Sequence, residues 1–189
     1  MATADALAFL GDTLVSLLQD GLAGLVTPTN VTLSTPTEFK DFAPRQPAVT
    51  IFLYHVGIHG EVRNTVRRPL ANGALGRPLL PLEARFLITP WTQVPRDAYR
   101  IIGAIAQVLY DHAILGFGEL QGDGVWAPDD TVELVLESLP VEDHYDIWDP
   151  TDIPYRLSLT YLARVVGIEP GVTVTAPPVA VADFARAPG

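Results

Sequence analysis

The sequence predicts an α+β domain with a mainly antiparallel sheet and helices packed on one face. Three observations predict it. Seven leucines recur at helical spacing across residues 4–25. Runs of β-branched and aromatic residues, above all residues 48–56, follow between proline and glycine breaks. A second helical period appears at residues 95–112, and further alternating runs come after it.

In the first element, Leu7, Leu10, Leu14, Leu17, Leu18, Leu22 and Leu25 share a face, with Asp5, Asp12 and Asp20 roughly opposite. Gly24 and Pro28 should end this helix. Phe9 falls on the polar side and reads as a harmlessly part-exposed residue, with a contact role as the alternative. Val31 and Leu33 alternate with Thr32 and Ser34 as a short strand. Residues 35–47 hold Pro36, Pro44 and Pro47 and read as a loop. Residues 48–56 form the strongest strand, which should be central. Residues 61–68 alternate with charge on one face as a further strand, and Asn72-Gly73 signals a tight turn. Residues 82–89 read as a strand stopped by Pro90.

In the second helix Ile101, Ile105, Val108, Leu109 and His112 share a face. Residues 116–128 form a Gly-rich loop, residues 131–139 a strand, residues 142–148 a helical turn, and residues 155–168 a long strand. The folded domain should span residues 1–169. Residues 170–189 are Pro, Ala, Val and Gly with few charges, and read as an extended C-terminal arm or disordered tail.

A chain of 189 residues, 48% hydrophobic, suffices for one domain with a full core. Mean hydropathy of +0.24 implies either a large core or surface buried against neighbours. The absence of cysteine excludes disulfides and zinc–thiolate sites. No basic residue precedes the Leu-rich start, and no run approaches the roughly 18 apolar residues of a membrane span. The expectation is a soluble protein, made and assembled in the cytoplasm, without direct membrane insertion. A net charge of −10 disfavours nucleic acid as a partner. The charge is unevenly placed. Residues 1–100 carry nine basic and eight acidic side chains, or +1; residues 101–189 carry three and fourteen, or −11.

Signatures of catalysis are missing. Lys40 is the only lysine and stands in no phosphate-binding loop. None of the four serines sits in a nucleophile elbow. His55, His59 and Glu61 have metal-like spacing, but on a strand the two histidines stand roughly 13 Å apart, too far to share an ion. The acids between Glu119 and Asp152 read as a solvated or partner-facing surface. Trp91, Trp126 and Trp148 read either as interface anchors or as core plugs. No catalytic residue, cofactor or metal is assigned.

An ordered set of motifs carries a resemblance over roughly residues 4–168. After the Leu-rich helix and the strong strand comes Arg63-Asn64. Then come Pro78-Leu79-Leu80-Pro81-Leu82 and Phe86-Leu87-Ile88-Thr89-Pro90-Trp91. Later stand Trp148 and the Tyr-Arg-Leu-Ser-Leu-x-Tyr run from Tyr155 to Tyr161. The set resembles the tube-cap or tail-terminator subunits of extracellular contractile injection systems, which are phage-tail-like particles. Pro90 departs from the pattern by splitting Thr89 from Trp91. The resemblance implies a tail-terminator-like fold and a non-enzymatic structural subunit. It also implies a six-subunit ring that ends the inner tube and sheath and stabilises the extended state. The competing readings are a small hydrolase or ligand-binding domain using the acidic Gly-rich loop, or a true phage tail protein of the same fold. Candidate interface residues are Arg63, Arg67, Arg68, Trp91, Asp129, Asp130, Trp148 and Phe184, with basic and acidic patches meeting between neighbours.

Overall fold

The computed structural model describes residues 2–39, 47–60 and 78–171. Helix α1 (Ala6–Gly21) leads through a 3-10 turn (Pro28–Asn30) to strand β1 (Val31–Leu33). The short helix α2 (Pro36–Phe39), strands β2 (Ala48–Ile58) and β3 (Leu80–Trp91), helix α3 (Pro95–Asp111) and strand β4 (Ile114–Leu115) follow. Strand β5 (Val132–Glu137), helix α4 (Val141–Trp148), a 3-10 turn (Asp149–Thr151) and strand β6 (Leu159–Ile168) complete it.

One six-stranded sheet has the order β1-β2-β3-β6-β5-β4. It is mixed. Strand β1 runs parallel to β2, and the other four pairings are antiparallel. Strand β6 thus lies between β3 and β5. The α+β class and the dominance of antiparallel pairing agree with the sequence reading.

The two long helices pack on one face. Ala6, Leu10, Leu14 and Leu18 of α1 are fully buried, one per turn, against Val49, Ile51, Phe86 and Ile88 of the sheet and Ile101, Ile105 and Leu109 of α3. Each buried leucine contributes on the order of 2 kcal/mol. The helices touch closely at Gly21, where a Cβ would lie 2.3 Å from a Val108 methyl. The short helices α2 and α4 cover part of the opposite face, over a smaller cluster of Phe39, Ala48, Leu87, Trp91 and Trp148.

Three local readings change. Strand β3 continues through Pro90 to Trp91. Its ladder to β6 ends at the Ile88–Leu159 pair, so Pro90 lies where one side has no neighbouring strand to receive a hydrogen bond. Strand β6 begins at Leu159 rather than at Tyr155. Residues 36–39 form a helical turn where a loop was expected, and the two-residue β4 was too short to show any periodicity. Phe9 is part-exposed, as read. It packs on the main core and under Gly122, whose φ of +99° brings the backbone over the ring. The strand expected at residues 61–68 lies outside the described residues.

Candidate subunit interface

Asp129 is exposed in the turn before β5. Asp130 is half-buried, and its carboxylate accepts the Ala127 N–H at 2.8 Å, so it builds the turn. Trp91 and Trp148 are 2% and 1% exposed. They stack with Phe39 at ring distances of 5.5 and 5.7 Å, and their indole N–H groups donate to Thr50 at 2.8 Å and Ser158 at 3.3 Å. The Arg156 guanidinium lies 4.6 Å above the Trp91 ring. A tryptophan whose N–H finds an internal acceptor can be wholly buried. These two are therefore core plugs of the subunit and not anchors offered to a neighbour. Trp126 is buried as well, donating to the Gln121 carbonyl at 2.7 Å. Arg63, Arg67, Arg68 and Phe184 lie outside the described residues.

The acid block is partly neutralised from within. Glu133 pairs with Arg164 at 2.8 Å on the adjacent strand. Glu137 pairs with Arg85 at 3.0 Å, two strands away, and Arg85 also meets Glu83 at 3.7 Å. Tyr54 donates to the same Glu137 at 3.5 Å. Burial, then the Glu137 charge, push the Tyr54 phenol up to about 12. Burial pulls the Arg85 guanidinium down, but the hydrogen bond and charge of Glu137 outweigh it, and its pKa rises.

A β-bulge between Leu53 and His55 sets two residues of β2 against one of β3 at this point, so Tyr54 and His55 both approach the network. His55 Nδ1 lies 3.2 Å from Arg85, and His59 Nδ1 lies 2.5 Å from Glu83. The histidines thus have separate partners. Among the described residues no three His, Asp or Glu side chains gather as a metal site. The sequence reading missed this network. Its signal was Glu83 and Arg85, two charges of one face inside an apolar strand.

Three further acids point outward on a different element. Glu142, Asp143 and Asp146 of α4 are exposed, with none of the helix's last turn basic. Beside them Tyr145 and Tyr155 stack with ring centroids 4.6 Å apart, and both are exposed. The Gly-rich loop does not open as a cleft over α1. Leu120, Val125 and Trp126 are buried against the main core, and the Gln121 N–H donates to Thr13 of α1 at 2.9 Å. At its start Glu119 accepts the Gly116 N–H at 3.1 Å and meets His112 Nδ1 at 2.6 Å. The His112 bond, then the Gly116 bond, hold the Glu119 carboxyl below its ordinary value.

Two long helices thus lie on one face of a mixed six-stranded sheet. The chain belongs to the Pvc16 N-terminal domain family, whose model matches residues 10–181. The fold is similar to that of a solved "PVC sheath/tube terminator in extended state" from an extracellular contractile injection system. That match has a TM-score of 0.65 at 18% identity and covers 100% of this chain and 66% of that one. It is also similar to the anti-feeding prophage cap, described as a tube-terminating cap. There the TM-score is 0.54 at 16% identity, covering 90% of this chain and 59% of that one. The chain thus spans about three-fifths to two-thirds of the length of these structures. Among curated proteins nothing matches it.

Proposed function

We propose that this chain is a structural cap or terminator subunit of a phage-tail-like contractile injection system. The observation that carries this reading is a fold shared over the whole chain with a sheath/tube terminator, together with the family match. The subunit forms a ring, six-membered by the resemblance, that ends the inner tube and sheath and stabilises the extended state. It assembles in the cytoplasm and acts without catalysis. The hydrolase alternative needed the Gly-rich loop to line a pocket, and the packing of that loop on α1 counts against it.

Charge complementarity between neighbours remains part of the proposal, with its acidic side redrawn. Glu133 and Glu137 are occupied by Arg164 and Arg85. Asp123, Asp129 and the α4 acids Glu142, Asp143 and Asp146 are exposed candidates to meet Arg63, Arg67 and Arg68 of the next subunit. Such pairs are worth about 0–1 kcal/mol each and steer more than they hold.

Deletion of the gene in a particle-producing strain, followed by negative-stain imaging, tests the role. Uncapped, over-length or prematurely contracted particles are expected. Particles of normal length with an intact cap would overturn it.

A further inference from the structure

Among the described residues, one edge of the sheet is longer than the strand beside it. Strand β1 pairs with β2 over Val31, Thr32 and Leu33 only, and the last hydrogen bond on that side runs from the Ser34 N–H to the Ile51 carbonyl at 3.0 Å. Strand β2 continues to Ile58. Among the described residues no strand lies beside residues 53–58 on the side away from β3.

The β-bulge at Tyr54 kinks this edge at its inner end, but the protective residue types are missing from residues 53–58. Between Leu53 and Ile58 there is no lysine, no proline and no acid. Apolar side chains line the track instead: Leu33, Val56 and Ile58 are 45%, 42% and 52% exposed. At its inner end, where β1 stops, a cavity of about 240 Å³ opens between α1 and the sheet, lined by Leu7, Gly11, Leu33, Leu53 and Phe86. A strand laid along the edge would complete the β2 ladder and set alternate side chains on an apolar floor.

We infer that this edge of one subunit takes residues 172–176 of a neighbouring copy as an added antiparallel strand. The segment reads Val172-Thr173-Val174-Thr175-Ala176, five β-compatible residues alternating apolar and polar. Pro177 and Pro178, which cannot donate to a ladder, follow at once. Its length suits the open stretch of β2, and with Val172 opposite Ile58, Val174 falls opposite Val56.

Reach decides between the same chain and a neighbour. Ile168 pairs with Leu80, and Leu82 with Ile58. From Ile168 to the position beyond β2 is three strand spacings sideways and two residues along, about 16 Å. Four residues span at most about 14 Å, and the Glu169 N–H is itself held by the Ala2 carbonyl at 2.9 Å. At this register the arm serves another copy, which makes a head-to-tail contact of the kind a ring requires. The inference rests on the ring reading given under Proposed function.

The chain has no cysteine, so introduced thiols report without background. Full-length Val56→Cys and Val174→Cys proteins are mixed at concentrations where size-exclusion chromatography shows the oligomer, then oxidised. The expected result is a disulfide-linked dimer in the mixture that neither single variant gives in comparable yield, and a ladder of multimers from the double variant. A double variant that closes only on itself, as a monomer, overturns the inference. So does an intact oligomer with no mixed disulfide, which would leave the edge to another segment or to a strand of the sheath. A chain that stays monomeric in chromatography at high concentration overturns the ring reading itself, and that outcome is visible before any oxidation.

Discussion

Arg85 on β3 reaches across β6 to Glu137 on β5, with Nε 3.0 Å from Oε1. The pair ties together strands that are not neighbours and draws Tyr54 of β2 into the same contact.

Replacing Glu137 with Gln should remove the charge that Arg85 faces and cost about 1–2 kcal/mol. For a domain of this size that is a fall of about 2–8 °C in Tm. The same variant should lower the Tyr54 phenol from about 12, though not to its ordinary 10.0, because burial is the larger cause. In the wild type the unfolded chain releases this proton above pH 10 while the folded one keeps it, so stability falls as pH rises from 10 towards 12. Ultraviolet titration of tyrosinate, with Tyr54→Phe to assign the signal, checks both points.

Trp91→Ala and Trp148→Ala should each destabilise the isolated subunit by about 3–5 kcal/mol, as expected for truncating a buried aromatic. Urea unfolding of the monomeric fraction reads this directly. A subunit of unchanged stability that fails only in assembly would return these residues to the interface.

Two glycines should respond with opposite sign. At Gly122 a Cβ would stand 2.6 Å from the Phe9 ring at a φ of +99°, so Gly122→Ala should cost about 1–3 kcal/mol. At Gly103, on the exposed side of α3, a Cβ meets nothing within 4 Å, so Gly103→Ala should stabilise by about 0.5–1 kcal/mol. Thermal unfolding of the two variants side by side tests the packing of the Gly-rich loop on α1.

Glu119→Gln should destabilise the protein modestly at neutral pH, by about 0.5–1 kcal/mol, since the contact with His112 is partly in solvent. The native carboxyl lies below its ordinary 4.5, so its contribution is complete above that value and is lost as pH falls through the native value. Wild type and variant should therefore converge in acid. Unfolding midpoints measured between pH 7 and about pH 3 follow the convergence.

The elements with one clean apolar face were legible without coordinates. The leucines of α1, the Ile101–Ile105–Leu109 stripe of α3 and the Val132–Leu134 pair of β5 each lie on the side that their period marks as buried, although Leu136, next in the β5 alternation, is exposed. Pro90 misled because proline breaks a strand only where a donor is needed, and which side of β3 lacks a neighbour is a tertiary fact. Tyr155 to Ser158 alternate like a strand, yet Arg156 and Ser158 instead cap Trp91 and Trp148. The neutralised acids were hidden for another reason. Arg85 and Glu137 are 52 residues apart in sequence, and only the insertion of β6 between their strands brings them together.

That insertion has a consequence for the order of events in the cell. Until residues 159–168 have left the ribosome, β1-β2-β3 and β5-β4 are two separate ribbons with no ladder joining them. The Ala2 N–H closes onto Gly167 and the Glu169 N–H onto Ala2, so the opening residues also wait for this strand. Synthesis at about 5–20 residues per second leaves the half-sheets apart for about 2–6 seconds between Glu137 and Ile168. A nascent chain short of residue 168 therefore has no finished sheet to offer a neighbour, and any contact that needs the whole sheet must wait for this strand.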